Sequence, residues 1–326
     1  MRGGCDPISW LNRLESEHDN LRTALEWSLK TEQTEAGARL AVALWPFWQT
    51  RGYYQEGRDW LEAGLAQRGR LPRALLAQTL RTASWMLHEP LHDLDLAEAY
   101  AEESVMLFRE LGDKANLAWA IRVLISTIAE RGDFERAAAY SAESLALSRE
   151  IGDKWGLAQS LASSGWYAVF RSDYTAAILL LEESLTLERE LEDVYGIAHS
   201  AYILGFARLF HGGADEAARL FRDSLTVSHQ LNDKWFISGC LTGLAGVASA
   251  LHEPVRAARL WGVSNNLDET IGAVNPPFWA RFIVGPILAT IHAQLDETAF
   301  EAAYAEGRAM TMEQAIEYAL ELAADG

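Results

Sequence analysis

Basic residues are scarce in this chain. Its 28 Lys and Arg residues face 46 Asp and Glu residues, which gives a formal net charge of -18 and a pI near 4.9. A surface of this charge repels phosphate backbones, and no basic stripe reverses the repulsion locally. Nucleic acid is therefore excluded as a partner of this segment.

Cysteine and long apolar runs are also rare. The two cysteines, Cys5 and Cys240, form no C-x-x-C pair, so we expect reduced thiols in a cytoplasmic protein. No apolar h-region occupies the first 30 residues, and nowhere do about eighteen uncharged apolar residues follow one another. The sequence therefore predicts neither an export signal nor a membrane span.

The motifs of common catalytic sites are missing as well. The chain has no glycine-rich phosphate loop, no G-x-S-x-G and no Cys/His metal spacing, so we expect no enzyme, cofactor or metal. One exception is HEPLH at 88–92, which matches the H-E-x-x-H pattern of zinc proteases. Pro90 disfavours the required helix. A zinc hydrolase using His88, Glu89 and His92 is kept as an alternative.

What the chain does contain is a repeat of 40 residues. LGDK begins at residue 111, and IGDK, LEDV and LNDK follow at 151, 191 and 231. A second echo, RGDFERAAAYSAESL from 131, has counterparts from 51, 91, 171, 211 and 251. Six units tile residues 31–270, and helical caps are predicted for 1–30 and 271–326.

Each unit is predicted to be a pair of helices. Aspartates suited to cap helix N-termini precede the Ala/Leu-rich runs, namely Asp113, Asp133, Asp153, Asp173, Asp193 and Asp233. Gly112, Gly132 and Gly152 suit the left-handed end of a helix. Since one hairpin cannot bury its own apolar faces, the units must stack, and the sequence predicts an all-α protein of the α-solenoid class.

The units resemble the tetratricopeptide repeat. The spacing of Gly165, Tyr174 and Ala177 matches that repeat, although the unit here is six residues longer than the usual 34. The resemblance implies a right-handed superhelix whose concave groove is lined by the first helices.

One face of each predicted first helix is rich in aromatic and polar residues. We take these as candidates for ligand binding in the groove: Trp119, Arg122, Trp155, Gln159, Trp166, Tyr195, His199, Tyr202, Phe206, Trp235 and Thr242. The alternative is that the rings only pack neighbouring helices together. Arg208 lies in a column that is otherwise apolar, and we expect its side chain to extend outward to solvent.

The flanks carry a more specific resemblance. WLNRLESEHDNLRTALEWSL at 10–29 and LWPFWQTRGYYQEGRDWL at 44–61 are similar to the segment that opens the repeat region of STAND-class ATPases, especially LuxR-type bacterial transcriptional regulators. RAARLWGVSNNLDETIGAVNPP at 256–277 and AFEAAYAEGRAMTMEQAIEYAL at 299–320 are similar to its closing segment.

That resemblance implies a sensor arm whose ATPase and DNA-binding modules belong to a longer parent chain. Neither module is visible here, so the chain is either a fragment or a free-standing repeat protein. The leading hypothesis is a non-catalytic regulatory module that binds a small molecule, peptide or protein effector in the groove. The alternative is a scaffold that joins protein partners and has no small-molecule site.

Overall fold

Helices account for every regular element of the computed structural model, which describes residues 7–88, 93–273 and 279–321. The helices are α1 (Pro7–Ser16), α2 (His18–Lys30), α3 (Thr34–Arg51), α4 (Tyr54–Leu65), α5 (Arg73–His88), α6 (Leu94–Leu111), α7 (Lys114–Glu130), α8 (Phe134–Glu150), α9 (Lys154–Phe170), α10 (Tyr174–Glu190), α11 (Val194–Phe210), α12 (Ala214–Leu231), α13 (Lys234–Ala250), α14 (Pro254–Ile271), α15 (Gly285–His292), α16 (Glu297–Arg308) and α17 (Met312–Leu320). A short 3₁₀ turn lies at Arg68–Arg70, and a π-helical turn at Ala280–Val284 leads into α15.

The aspartates begin helices as predicted. The side chains of Asp113, Asp133, Asp173, Asp193 and Asp233 each accept a hydrogen bond from an amide of the first turn of the helix that follows. Gly112, Gly132 and Gly152 adopt φ values of 67°, 82° and 67°, which close the preceding helices in the left-handed conformation. Local sequence signals therefore set the hairpin boundaries.

The chain forms two compact units, Met1–Ser163 (unit 1) and Ser164–Gly326 (unit 2). In unit 1, α3 packs on α4, α5 on α6, and α7 on α8, and the first helices α3, α5 and α7 also pack on one another in chain order. Each hairpin buries its apolar face against the next.

In unit 2, α11 pairs with α12 and α13 with α14, and α10 packs on α11. The helices that follow the repeats fold back, so that α15 packs on α13 while α16 and α17 pack on α14. Helices α14 and α16 cross closely. A Cβ on Gly307 would lie 2.0 Å from the carbonyl oxygen of Arg259, so no larger residue fits there without displacing backbone.

Buried serines recur at 40-residue intervals in the second helices. They are Ser104, Ser144, Ser184, Ser224 and Ser264. Their hydroxyls find partners on neighbouring helices, as between Ser144 and Ser160 (2.9 Å) and between Ser184 and Ser200 (3.3 Å). Serine is small, and its buried hydroxyl is hydrogen-bonded to a neighbouring helix, so the helices can pack closely.

The all-α class and the stacked-hairpin, α-solenoid arrangement predicted from the repeat are confirmed. The predicted division into cap, six repeats and cap, and the right-handed superhelix, stay predictions. In the residues that the structure describes, every helix is too short or too polar to cross a lipid bilayer.

Candidate functional site

Four indoles and two guanidinium groups gather on the first helices of unit 1. We call this set the tryptophan–arginine cluster: Trp45 on α3, Arg81 and Trp85 on α5, Trp119 and Arg122 on α7, and Trp155 on α9. All four indoles are half-buried. Gln159, one turn after Trp155, is half-buried too.

The indoles contact one another edge to face or at a tilt. Ring centroids are 6.3 Å apart for Trp45 and Trp85, 5.8 Å for Trp45 and Trp119, and 6.4 Å for Trp119 and Trp155. Trp45 and Trp119 meet although α4, α5 and α6 separate their helices in the chain. The rings therefore share one face of unit 1, formed by its first helices.

Arg81 lies at the centre of the cluster. Its Cζ is 3.5 Å from the ring centroid of Trp119, within the range of a cation–π contact, and the side chain is only 3% exposed. Its Nη1 donates to Oδ1 of Asn116 at 2.6 Å, and Asn116 in turn donates to Asp113 at 2.7 Å. This hydrogen bond fixes the position of the guanidinium. Its acceptor is a neutral amide and not a carboxylate.

Among the described residues, Arg81 has no carboxylate within hydrogen-bonding distance. Burial and the nearby charge of Arg122 lower the pKa of Arg81 to about 9, while Asp113 acts in the opposite direction. Arg81 therefore stays cationic at pH 7. Arg122 is 6% exposed and places its Cζ 5.8 Å from the ring of Trp155. Two buried cations accompany the rings.

Two buried donors in the cluster find no acceptor among the described residues. They are Nε of Arg81 and Nε1 of Trp85. Buried donors nearly always have partners in folded proteins. The two residues are four apart on α5, which places both side chains on the same face of the helix.

The corresponding face of unit 2 is closed by other aromatic rings. Trp166 is half-buried, and its ring centroid lies 4.5 Å from Phe170, 6.0 Å from Tyr202 and 6.1 Å from Phe206. Trp279, from the segment after the repeats, covers it at 6.0 Å and contacts Phe206 at 5.5 Å.

Three predicted groove residues of unit 2 lie in its core. Tyr202 and Thr242 are 2% exposed and Phe206 is fully buried. The hydroxyl of Thr242 lies 2.7 Å from that of Ser264, on the neighbouring helix. The prediction placed these side chains on an open groove; the structure favours the packing alternative for them, because helices and rings of the same unit cover each one.

The remaining candidates of unit 2 surround Phe236. Ring centroids of Tyr195, His199 and Trp235 lie 5.7, 5.5 and 4.9 Å from that of Phe236, and all three side chains are half-buried. Desolvation lowers the pKa of His199 to about 4, with Asp193 opposing the shift, so the imidazole is neutral at pH 7. This group offers aromatic contact but no charge.

The H-E-x-x-H motif is only partly described. Glu89 and His92 lie outside the described residues, as does Cys5. His88 ends α5, is buried, and places Nε2 at 2.7 Å from Oε1 of Glu130. Within the described residues, no three His, Cys, Asp or Glu side chains are grouped to hold a metal ion.

Arg208 extends to the surface, as predicted. It is half-buried and pairs with Glu182 at 2.5 Å and with Glu216 at 3.2 Å, on the helices before and after its own. Its charge is therefore matched by carboxylates, unlike that of Arg81.

Arg81 and Trp85 were missed by the sequence analysis, although signals for both exist. Trp85 follows Trp45 by forty residues. Arg81 occupies a column that holds Ile121, Leu161 and Leu241 in other units, so it is a charge at an apolar position.

Fold and site together define a helical-repeat protein with an aromatic and cationic face. No model of a known protein family matches the chain. Three mycobacterial proteins, one from Mycobacterium bovis and two from Mycobacterium tuberculosis, are 30% identical to it over 118 residues, and their names describe them as HTH-type transcriptional regulators. The match covers 33% of this chain and only 13% of those proteins.

The fold is similar to that of a solved structure. The crystal structure of the apo form of RapI superimposes with a TM-score of 0.50 at 13% sequence identity, covering 76% of this chain and 99% of RapI. This likeness independently supports the helical-repeat fold.

Proposed function

We propose that the chain is a non-catalytic regulatory module that binds an effector, a small molecule, peptide or protein, on the first-helix face of unit 1. The observation that carries this proposal is the tryptophan–arginine cluster. Trp and Arg dominate the binding energy of protein recognition sites because they combine large contact area with directional polar groups. A face used only for packing would not need two buried cations.

We further propose that the module is the tetratricopeptide-like sensor region of a LuxR-type, STAND-class regulator acting in the bacterial cytoplasm. The 118-residue similarity to HTH-type transcriptional regulators and the flanking motifs support this assignment. ATPase and DNA-binding modules would then be parts of a longer parent chain. With its net charge of -18, the segment itself contacts neither nucleic acid nor an anionic membrane surface.

A scaffold is the second candidate, and unit 2 favours it. The contact of Trp279 with Trp166 and Phe206 shows an aromatic stripe serving as internal packing. If unit 1 behaves the same way, the chain joins protein partners through its outer faces.

The two candidates differ in what the indoles do. A library of sugars, amino acids, nucleotides and short peptides is screened for compounds that raise the Tm of the protein. A compound that binds the cluster is expected to lose its effect in Trp119→Leu and keep it in Trp27→Leu, since Trp27 is 57% exposed and lies outside the cluster. Compounds that stabilise both variants equally, or a library without any hit, would contradict an effector site here.

A further inference from the structure

We propose that Arg81 and Trp85 bind an oxyanion group of the effector, a carboxylate or a phosphate, in the tryptophan–arginine cluster. The inference rests on the proposed function, because it names the chemistry that the same face recognises. Three features lead to it: the unmatched donors, the buried charge of Arg81 and the arrangement of the rings.

The first feature is a pair of buried hydrogen-bond donors on α5. Nε of Arg81 and Nε1 of Trp85 are buried and have no acceptor in the described part of the chain. Side chains four residues apart on a helix have Cβ atoms about 5–6 Å from each other, so one group with several acceptor oxygens can reach both donors. A carboxylate or phosphate offers such oxygens, and charge-assisted hydrogen bonds of this kind are the strong ones.

The buried positive charge of Arg81 indicates that the ligand carries a negative charge. Arg81 is buried close to the charge of Arg122, and the carboxylate acting on Arg81 is that of Asp113. Asp113 already accepts hydrogen bonds from the amide and the side chain of Asn116 at the start of α7. A buried cation without an adjacent anion is costly. An oxyanion between the helices would lower this cost.

The rings provide access. Arg81 lies against Trp119, Trp119 contacts Trp45, and Trp45 contacts Trp85. These rings are only half-buried, and the proposal requires one indole to rotate when the ligand enters; such rotamer changes are common when ligands bind. Binding should therefore alter tryptophan fluorescence.

The experiment uses the whole chain and two probes, inorganic phosphate and acetate, each titrated against chloride at constant ionic strength. Tryptophan fluorescence and Tm are recorded for the wild type, Arg81→Met, Trp85→Phe and Arg73→Met. Arg81→Met keeps a long side chain without donors. Trp85→Phe keeps a ring but removes the N–H. Arg73→Met is the matched control, since Arg73 lies on the same helix but is exposed and paired with Glu110.

We expect saturable changes for the wild type and for Arg73→Met. Affinity should fall about 10- to 100-fold in Arg81→Met, the range expected for loss of a hydrogen bond to a charged group. A smaller loss is expected in Trp85→Phe. Preference for phosphate over acetate, or the reverse, identifies which oxyanion the effector carries.

No saturable response of the wild type to either probe would overturn the inference, as would equal affinities of wild type, Arg81→Met and Trp85→Phe. If Arg81→Met does not fold, Trp85→Phe decides alone. The effector site has a separate test: library compounds whose effect depends on Trp119 but not on Arg81 would leave the proposed function standing and remove only the oxyanion.

Discussion

The first helices of the two units carry similar aromatic stripes, but the stripes have different surroundings. In unit 1 the rings of Trp85, Trp119 and Trp155 accompany buried arginines and unmatched donors. In unit 2 the rings of Trp166 and Phe206 are covered by Trp279 from beyond the repeats. One repeat pattern thus gives a face with buried arginines and unmatched donors in one unit and a face covered by another ring in the other.

The difference teaches that aromatic content alone does not identify a binding face. What separates the units is the state of the polar groups beside the rings. Thr242 of unit 2 is satisfied by Ser264 on the neighbouring helix, and Arg208 by carboxylates on both sides. Within the described residues, the hydrogen-bond partner of the Arg81 guanidinium in unit 1 is the neutral amide of Asn116. The candidate site is therefore defined by unmatched donors that lie beside the rings, Nε of Arg81 and Nε1 of Trp85, and not by aromatic content alone.

The largest expected effect concerns packing. Phe206→Ala should lower the free energy of unfolding by about 3–5 kcal/mol, because Phe206 is fully buried and the change leaves a cavity. Trp119→Ala should cost less, since its ring is half-buried. Urea denaturation of both variants measures the difference. Equal losses would mean that Trp119 is core, and the contrast between the units would disappear.

The next effect is a pH dependence in unit 2. Glu188 is fully buried, and burial raises its pKa to about 7, against the opposing hydrogen bonds from Ser200 and Ser184. A raised folded-state pKa means that its contribution to stability is present below the unfolded value of 4.5 and is lost as the pH rises through 7.

Glu188→Gln should remove this dependence. Between pH 5 and pH 8 the variant is expected to gain up to about 3 kcal/mol of unfolding free energy relative to the wild type. Urea unfolding at both pH values measures the gain, and Glu183→Gln, at an exposed position of the same helix, is the control. A constant difference between wild type and Glu188→Gln at the two pH values would show that Glu188 does not titrate in this range.

The smallest effect sharpens the comparison of charges. Arg81→Met should leave stability unchanged or raise it by about 1 kcal/mol, because replacing a poorly compensated buried cation by an apolar side chain removes a desolvation cost. Arg208→Met should instead lower stability by up to about 1 kcal/mol, the usual range for a partly exposed ion pair. Thermal unfolding measures both. A loss of several kcal/mol in Arg81→Met would assign Arg81 to structure.

The sequence predicts the fold well because helix ends are marked locally. Asp113 and Gly112, with their equivalents every forty residues, determine where hairpins begin and end. Helical periodicity also selected Trp119, Arg122 and Trp155 as candidates, and these three residues lie in one cluster; their role as groove residues stays a prediction. Arg81 was not selected as a candidate from the sequence, because its hairpin lacks the L-G-D-K marker that fixes the register of the later units.

The covering of unit 2 could not be predicted. Trp279 reaches Trp166 from more than one hundred positions along the chain and from outside the repeat, so no period relates the two residues. Whether an aromatic stripe is open depends on such long-range contacts. Helical periodicity predicts which side chains share a face of a helix, but it does not predict which distant residues cover that face.

Fluorine NMR on protein labelled with 5-fluorotryptophan tests the central claim most directly, since each of the 12 tryptophans gives its own resonance. Resonances are assigned with single Trp→Phe variants, and each compound that raised the Tm is titrated in. The account predicts saturable shifts of Trp85, Trp119 and Trp155 while Trp166, Trp235 and Trp279 stay constant. Shifts confined to the unit 2 tryptophans, or none in unit 1, would contradict it.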